Sequence, residues 1–180
     1  KELTYSFIID KDEMPRSIIE SYKIISSAII QGLRTLGLNP EMNSSKVENR
    51  DNPVCFQEQS FNELTINRKK FVGSAQVRRN GKLLQHGSIL TGINTEKHSS
   101  GFKEKPEADD LWKRITYIDI PEEELKSAIK LGFSGYFNTS LNERGLCDRE
   151  ISEAEELARM KYKPEDWGYG VQSSLPKAYI

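Results

Sequence analysis

The sequence predicts an α+β fold in which a mixed β-sheet is flanked by helices. Residues 1–10 alternate apolar and polar side chains, which is the two-residue period of a half-buried strand. Residues 14–37 repeat apolar side chains at steps of three and four, which is the period of an amphipathic helix. Further on, Asn80-Gly81 separates two strand-like segments and is a strong signal for a tight hairpin. Strands combined with long helices in this way are typical of α+β domains.

The N-terminal segment is predicted to contain one strand, one helix and one loop. Met14-Pro15 is predicted to open the helix, because proline suits the first helical turn. Gly37 is predicted to end it, because glycine readily adopts the backbone conformation that follows a helix. The polar residues 39–52 are predicted to form a loop, and long loops are often functional. The apolar side of the strand consists of Leu3, Tyr5, Phe7 and Ile9.

The middle of the chain is predicted to supply the rest of the sheet. The expected strands are 63–66, 71–78 and 82–90, with a further short strand at 115–118. The charged segment 96–110 contains glycine, serine and proline and is expected to be a solvated loop.

The C-terminal part is predicted to be helical. Pro121 opens a helix whose first turn is acidic, which favours the positive end of the helix dipole. Ser152-x-x-Glu155 matches a capping box for a last helix reaching about Tyr162, although Asp148 is an alternative cap. The expected organisation is one domain over 1–180, with 121–180 as a helical C-terminal region.

Composition excludes several classes of protein. The net charge of −1 over 180 residues argues against a general nucleic-acid binder, which carries a basic excess. No apolar run approaches the roughly 20 residues of a membrane span, and no secretory pattern is present. Two histidines and two scattered cysteines give no metal-ligand spacing, so no metal is expected. Cys55 and Cys147 are expected to be reduced thiols in a cytoplasmic protein, with a single disulfide as the alternative.

Residues 53–90 contain the candidates for chemistry. A cysteine nucleophile reacts as the thiolate and needs a nearby cation. Lys70 lies 15 residues after Cys55, close enough in sequence for the chain to fold back; the alternative is that Cys55 is a small core residue. Gly73-Ser74-Ala75 lets a ligand or another backbone approach closely, or forms a glycine bulge.

A histidine and two basic pairs are expected to have structural roles. His86 is expected to be a structural histidine with a backbone partner, which is commoner than a catalytic one. The basic pairs Lys69-Lys70 and Arg78-Arg79 are expected on solvated strand faces, because aromatics do not interleave with them as in a nucleic-acid platform.

Taken together, these segments resemble the superfamily of lipoate–protein ligases and octanoyltransferases. The resemblance rests on Lys-x-x-Gly-Ser-Ala-Gln followed by Gln-His-Gly-Ser, with the Asn-Gly hairpin between them. The opening Glu2-Leu3-Thr4-Tyr5-Ser6 is similar to the strand after the family's arginine- and glycine-rich acyl-binding loop. The segment 162–169 resembles the family's closing segment. The fold implied is that of the biotin/lipoate ligase catalytic domain, which is class II synthetase-like.

The segment Pro53-Val54-Cys55-Phe56 is similar to the LipM-type octanoyltransferases, which use a cysteine. The resemblance implies that Cys55 carries the acyl group and that Lys70 lowers its pKa. It also implies substrate-binding roles at Gly73, Ser74, Ala75, Gln76, His86 and Gly87. Gln59 and Phe61-Asn62 depart from the family pattern, where a proline and a second aromatic are usual.

The implied activity is transfer of octanoyl from acyl carrier protein to a lysine of a lipoyl-domain protein, in lipoate biosynthesis. Acyl carrier protein and lipoyl-domain proteins are the expected partners, with no cofactor. The first alternative is an ATP-dependent lipoate–protein ligase, in which Lys70 contacts the acyl adenylate. The others are an octanoyl amidotransferase between lipoyl domains and an inactive relative that only docks lipoyl domains.

The chain begins directly in a predicted strand, without an initiator methionine. It therefore resembles the C-terminal part of a longer protein that lacks the N-terminal acyl-binding segment. These 180 residues alone are expected not to turn over.

Overall fold

A computed structural model of the chain describes residues 1–43, 63–94, 97 and 113–163. The chain divides into two compact units, Lys1–Ser140 and Leu141–Ile180. The first unit contains a five-stranded sheet whose strands are β1 (Glu2–Asp10), β2 (Glu41–Met42), β3 (Leu64–Ile66), β4 (Lys69–Arg79) and β5 (Lys82–Leu90). Their order across the sheet is β1-β5-β4-β3-β2. None of the described helices is both long and apolar enough to cross a membrane.

All neighbouring strands pair antiparallel, and the parallel element is an isolated bridge between Lys70 and Ile115. The sheet is therefore mixed, as predicted. The predicted strand at 115–118 is wrong, because only this bridge forms. The Thr116 amide donates to the Lys70 carbonyl at the start of β4, whereas the Ile118 amide donates to the Leu90 carbonyl at the end of β5. The segment thus crosses from one strand to the next and forms no ladder.

Two helices, α1 (Ile18–Thr35) and α2 (Glu122–Tyr136), complete the first unit. The predicted start of α1 at Met14-Pro15 is wrong, because the helix begins after Ser17. The Ser17 hydroxyl accepts a hydrogen bond from the Glu20 amide at 3.3 Å and so caps one of the unpaired amides of the first turn. Gly37 follows the helix with a φ of +74°, as its predicted role as a stop requires.

The two helices touch through their smallest residues. A Cβ atom added to Gly32 would lie 2.3 Å from the Ala128 carbonyl oxygen, and one added to Gly132 would lie 2.3 Å from that of Ala28. The backbones are thus too close for any side chain at these glycines. Each helix supplies an alanine and a glycine four residues apart, which places both on one side of the helix.

The structure confirms the predicted hairpin and corrects part of one predicted loop. Asn80 and Gly81 both have positive φ, 51° and 76°, as a tight hairpin turn of this kind requires. Strand β2 lies inside the predicted loop 39–52 and pairs with β3, so that prediction is wrong at 41–42. The rest of that loop from residue 44 onward, and the segment 96–110 apart from Lys97, lie outside the described residues.

The second unit contains α3 (Asp148–Leu157), which continues as a π-helical turn over Ala158–Tyr162. The predicted capping box at Ser152 and the alternative cap at Asp148 are both wrong, because the helix already begins at Asp148. The Glu150 carboxylate instead accepts from the Cys147 amide at 2.8 Å and pairs with Arg144 at 2.9 Å. Hydrogen bonds from Arg144 and from the Cys147 backbone hold the pKa of Glu150 at about 2. The organisation proposed for 1–180 and 121–180 stays a prediction.

Candidate active site

The two faces of the sheet divide the motif residues. Across β1, β5 and β4, one row consists of Tyr5, Gly87 and Ser74, and the next of Phe7, Gln85 and Gln76. This face lies against the helices, because the Phe7 ring stacks on Phe133 with centroids 5.1 Å apart. We call it the helix face. Ser74, Gln76 and Gly87, three of the predicted substrate-binding residues, therefore belong to the helix face.

The opposite surface of the same strands, which we call the outer face, carries the other three. Ala75 pairs with His86, and Gly73 pairs with Ser88 in the next row. His86 and Ala75 are exposed and Gly73 is half-buried. The expectation of a buried structural histidine is therefore wrong. The alternative of a glycine bulge at Gly73 is also wrong, because residues 73–75 pair with β5 without a shift and the register shift lies between Leu64 and Thr65.

That shift places Lys70 on the outer face. Leu64 pairs with Val72, whereas its neighbour Thr65 pairs with Lys70. Leu64 and Thr65 are consecutive in a strand and point to opposite faces, and each pairs with a residue on its own side. Lys70 and Val72 are therefore on opposite faces although they are two positions apart in the strand, which is the effect of a bulge. Val72 shares the helix face with Ser74, so Lys70 shares the outer face with Gly73, Ala75 and His86.

Lys70 is a buried cation with a buried carboxylate beside it. Its side chain is 4% exposed, and its Nζ lies 2.7 Å from Oε1 of Glu63, whose side chain is 7% exposed. The expectation that the Lys69-Lys70 pair is solvated is wrong for Lys70. Removing a charge from water costs several kcal/mol unless a partner compensates it. Glu63 therefore holds the ammonium group in the sheet at a fixed point.

The helix face carries a chain of polar side chains beside its apolar core. The Arg78 guanidinium donates to the Ser21 hydroxyl at 2.9 Å. Ser21 donates to Oε1 of Gln76 at 3.0 Å, and Nε2 of Gln76 donates to Oε1 of Gln85 at 3.0 Å. Ser21 and Gln85 are fully buried. The expectation that Arg78 is solvated is wrong, because it turns inward to this chain.

The chain continues to Tyr5 and Ser74. Nε2 of Gln85 donates to the Tyr5 hydroxyl at 3.1 Å, and that hydroxyl lies 2.7 Å from Oγ of Ser74. Burial raises the pKa of Tyr5, against the opposing effect of hydrogen bonds with Gln85 and Ser74. Burial also raises the pKa of Tyr22 in α1. Both phenols are therefore held in their neutral form in the folded protein.

Gly87 makes room for this arrangement. A Cβ atom at residue 87 would lie 2.5 Å from Oγ of Ser74, 2.5 Å from the Gly73 carbonyl oxygen and 2.9 Å from Cε1 of Tyr5. Contacts this short do not occur between real atoms, so any side chain at Gly87 would separate Tyr5 from Ser74. The glycine of the Gln-His-Gly-Ser motif thus has a packing role on the helix face.

Cys55, the predicted nucleophile, lies outside the described residues, so its predicted role and that of Lys70 stay predictions. The sequence interpretation gave no role to Glu63, Tyr5, Tyr22, Ser21 or Gln85. Glu63 is the first residue of a predicted strand, and Tyr5 occupies an apolar position of another. Neither position marks a residue as part of a polar site. Within the described part of the chain, no three acidic, histidine or cysteine side chains form a cluster that could hold a metal ion.

Comparison with known proteins identifies the family. The family model of the lipoyl protein ligase A/B catalytic domain matches residues 1–122. The chain belongs to this family. The predicted resemblance is thereby confirmed, and it extends to curated relatives that bear the name octanoyltransferase LipM.

Three of these relatives cover 94% of this chain. The LipM of Geobacillus kaustophilus is 35% identical over 190 residues, and the chain covers 68% of it. The LipM of Halalkalibacterium halodurans is 33% identical, with 69% of its length covered. The LipM of Bacillus subtilis is also 33% identical, with 68% covered. The chain therefore spans about two thirds of the length of these relatives.

Solved structures confirm the predicted fold. A lipoate-protein ligase A bound with ATP superposes with a TM-score of 0.77 at 24% identity, covering 95% of this chain and 66% of its own. A bi-partite lipoate protein ligase from Thermoplasma acidophilum, studied with its E2 lipoyl domain, gives 0.76 at 23% identity, covering 99% and 67%. The biotin protein ligase of Aquifex aeolicus gives 0.53 at 14% identity, covering 76% and 52%. At these identities the likeness concerns the fold alone.

Proposed function

We propose that this chain forms the cysteine-bearing part of an octanoyltransferase in lipoate biosynthesis. The enzyme transfers octanoyl to a lysine of a lipoyl-accepting protein through a thioester on Cys55. The names and identities of the LipM relatives support this assignment. Within the structure, the observation that carries it is the position of Lys70, a buried cation on the outer face of the sheet.

The outer face around Lys70 suits an acyl group and its carbonyl. Gly73 and Ala75 follow Lys70 on this face. Neither has a side chain beyond Cβ, so a ligand can approach the backbone of the strand closely at these two positions. His86 is exposed beside Ala75 and offers a ring that can donate or accept a hydrogen bond. We infer that the acyl chain lies over these small residues, with its carbonyl toward the ammonium group.

In the first step, the Cys55 thiolate attacks the carbonyl carbon of octanoyl-acyl carrier protein. The carbon–sulfur bond to the carrier breaks, the carrier leaves as its thiolate, and octanoyl becomes a thioester of Cys55. A thiol near pH 7 is only a few per cent ionised, and a nearby ammonium group raises that fraction. Lys70 supplies this charge and also favours the negative oxygen that develops during attack.

In the second step, the neutral amine of the acceptor lysine attacks the Cys55 thioester. An amide bond forms, the bond to Cys55 breaks, and the enzyme regains its thiolate as the amine loses a proton. Neither step needs ATP, because a thioester is exchanged for another thioester and then for a more stable amide. The proposed setting is the cytoplasm, with acyl carrier protein as donor and a lipoyl domain as acceptor. The Thermoplasma neighbour, which has an E2 lipoyl domain as its partner, supports such an acceptor.

The test is the mass of the full-length protein after incubation with octanoyl-acyl carrier protein. We expect the mass to increase by one octanoyl group, located by peptide mapping at Cys55. Cys55→Ala abolishes the adduct and the transfer. The matched control is Cys147→Ala, since Cys147 is an exposed free thiol in the second unit and is expected to leave both intact.

Four outcomes contradict the proposal, and three of them point to another function. An adduct at Cys147 removes the role of Cys55. Transfer that requires ATP and free octanoate identifies a ligase. Transfer from an octanoylated lipoyl domain, but not from the carrier protein, identifies an amidotransferase. If no acyl group is transferred from any donor while lipoyl domains still bind, the protein is a docking relative.

A further inference from the structure

We propose that Ser74 is a positioning residue that fixes the outer face from behind, together with the hydrogen-bonded chain that ends on it. This inference rests on the proposed function, because it assigns a role in acyl transfer to residues that lie on the opposite side of the sheet. Ser74, Gln76 and Gly87 of the sequence motif then act through the strand and do not touch the substrate.

The part of β4 that needs fixing is the segment 73–75. Gly73 faces the outer surface and Gly87 of the neighbouring strand faces the helices, so the two strands lack side chains at adjacent points of the ladder. Glycine inside a strand weakens it, because there is no side chain to pack and the backbone has more freedom. The backbone of this segment must therefore be kept in position if the outer-face residues are to stay in place, namely Lys70, Gly73 and Ala75.

The hydrogen bonds of the chain lead from Arg78 to Ser74. Arg78 carries only donors, so the Ser21 hydroxyl accepts from it. The Ser21 hydroxyl lies 3.0 Å from Oε1 of Gln76 and equally close to the carbonyl oxygens of Ser17 and Ile18. Nε2 of Gln76 donates to Oε1 of Gln85, and Nε2 of Gln85 donates to the Tyr5 hydroxyl, which is also hydrogen-bonded to Ser74.

The chain therefore fastens this part of β4 to both β1 and α1. Tyr5 belongs to β1 and its hydroxyl lies 2.7 Å from Oγ of Ser74, whereas Ser21 belongs to α1 and bonds Gln76, two positions further along β4. Hydrogen bonds that are linked in a chain strengthen one another and make the side chains in it more rigid. Ser74 lies between Gly73 and Ala75 in the strand. Fixing Ser74 on the helix face therefore also fixes these two residues, which we infer to contact the acyl group on the outer face.

The variants for the test remove single hydroxyl groups with little change of volume. They are Ser74→Ala, Tyr5→Phe and the double variant, in the full-length protein. The matched controls are Ser127→Ala and Tyr136→Phe, which remove hydroxyl groups from exposed positions of α2. The measurements are kcat and KM for octanoyl transfer from acyl carrier protein, together with the midpoint of thermal unfolding.

We expect each single variant to lose about tenfold in kcat at unchanged KM for the carrier protein, because small displacements of reacting groups are costly. The double variant is expected to lose no more than either single variant, since both remove the same link. Unchanged kcat in Ser74→Ala overturns the proposal. So does a loss that disappears once activity is corrected for the unfolded fraction, because the role is then only structural.

Amide hydrogen exchange separates this proposal from the proposed function. If the unmodified protein transfers no octanoyl group, the function fails, and exchange at residues 73–75 decides the positioning role. Faster exchange there in Ser74→Ala than in Ser127→Ala, with the other strands unchanged, supports it. Equal exchange in the two variants contradicts it.

Discussion

The helix face and the outer face of the sheet use consecutive residues of one motif in different ways. On the helix face, the half-buried side chains of Ser74 and Gln76 are hydrogen-bonded to other side chains of the protein. On the outer face, Ala75 and His86 are exposed and Lys70 is held by Glu63. The difference shows that a motif in a strand contains two sets of residues with separate roles, because successive side chains point to opposite faces.

The two faces should also respond differently to substitution. The helix face is closely packed, so an added methyl group has nowhere to go. The outer face contains a buried charge, so removing its partner is costly while exposed positions beside it are tolerant. Four variants test this contrast.

The largest effect is expected from Lys70→Met. Glu63 then loses the cation 2.7 Å away, and breaking a buried pair on one side costs about 3–5 kcal/mol in the free energy of unfolding. Urea denaturation measures the loss. The neighbouring Lys69→Met, at a half-buried position, is expected to change the free energy of unfolding by less than about 1 kcal/mol.

A double variant separates stability from chemistry at the same position. Glu63→Leu combined with Lys70→Met replaces the pair by apolar groups and is expected to regain most of the stability. It should not regain octanoyl transfer, because the ammonium group is still missing. A double variant as active as the parent would remove Lys70 from the mechanism, whatever its effect on unfolding.

A smaller effect is expected from Gly87→Ala on the helix face. The new Cβ atom would stand 2.5 Å from Oγ of Ser74 and must push β4 or Tyr5 away, which costs about 1–3 kcal/mol. The adjacent His86→Ala lies on the exposed outer face and is expected to change the free energy of unfolding by no more than about 0.5 kcal/mol. Equal losses at 86 and 87 would show that the two faces do not differ in packing.

The smallest expected change in the free energy of unfolding occurs only at alkaline pH and concerns Tyr22. Burial raises the pKa of Tyr22 in the folded protein, so the unfolded chain releases this proton first, near pH 10. Above that pH the unfolded state binds fewer protons, and stability falls by up to about 1.4 kcal/mol per pH unit. Tyr22→Phe lacks this contribution. Its stability deficit relative to the parent, measured by urea unfolding, should therefore shrink above about pH 10. A deficit independent of pH contradicts the assignment.

Local sequence signals predicted elements well where the physical cause is local. The alternation in β1 and the hairpin at Asn80-Gly81 follow from backbone and side-chain preferences of neighbouring residues. The start of α1 was also available, because Ser17-x-x-Glu20 is a capping-box pattern. The Met14-Pro15 prediction gave the proline more weight than this cap, and the structure shows the cap to be decisive.

The errors concern elements whose form depends on distant residues. Residues 115–118 have the composition of a strand but cross between the ends of β4 and β5, and so gain only a bridge. Likewise the two residues of β2 became a strand because β3 offers them an edge. Neither outcome is visible in a local pattern, since both depend on which backbone groups remain available in the assembled sheet.

The sequence by itself determined the family, the strands β4 and β5 with their hairpin, and the identity of the motif residues. Only the tertiary structure decided which of them act together. The shift between Leu64 and Thr65 turns Lys70 to the outer face and places it beside Glu63, seven residues away in the chain. Strand register is set by pairing between strands, and a shift of one residue moves a side chain to the other face. No pattern within β4 alone encodes that choice.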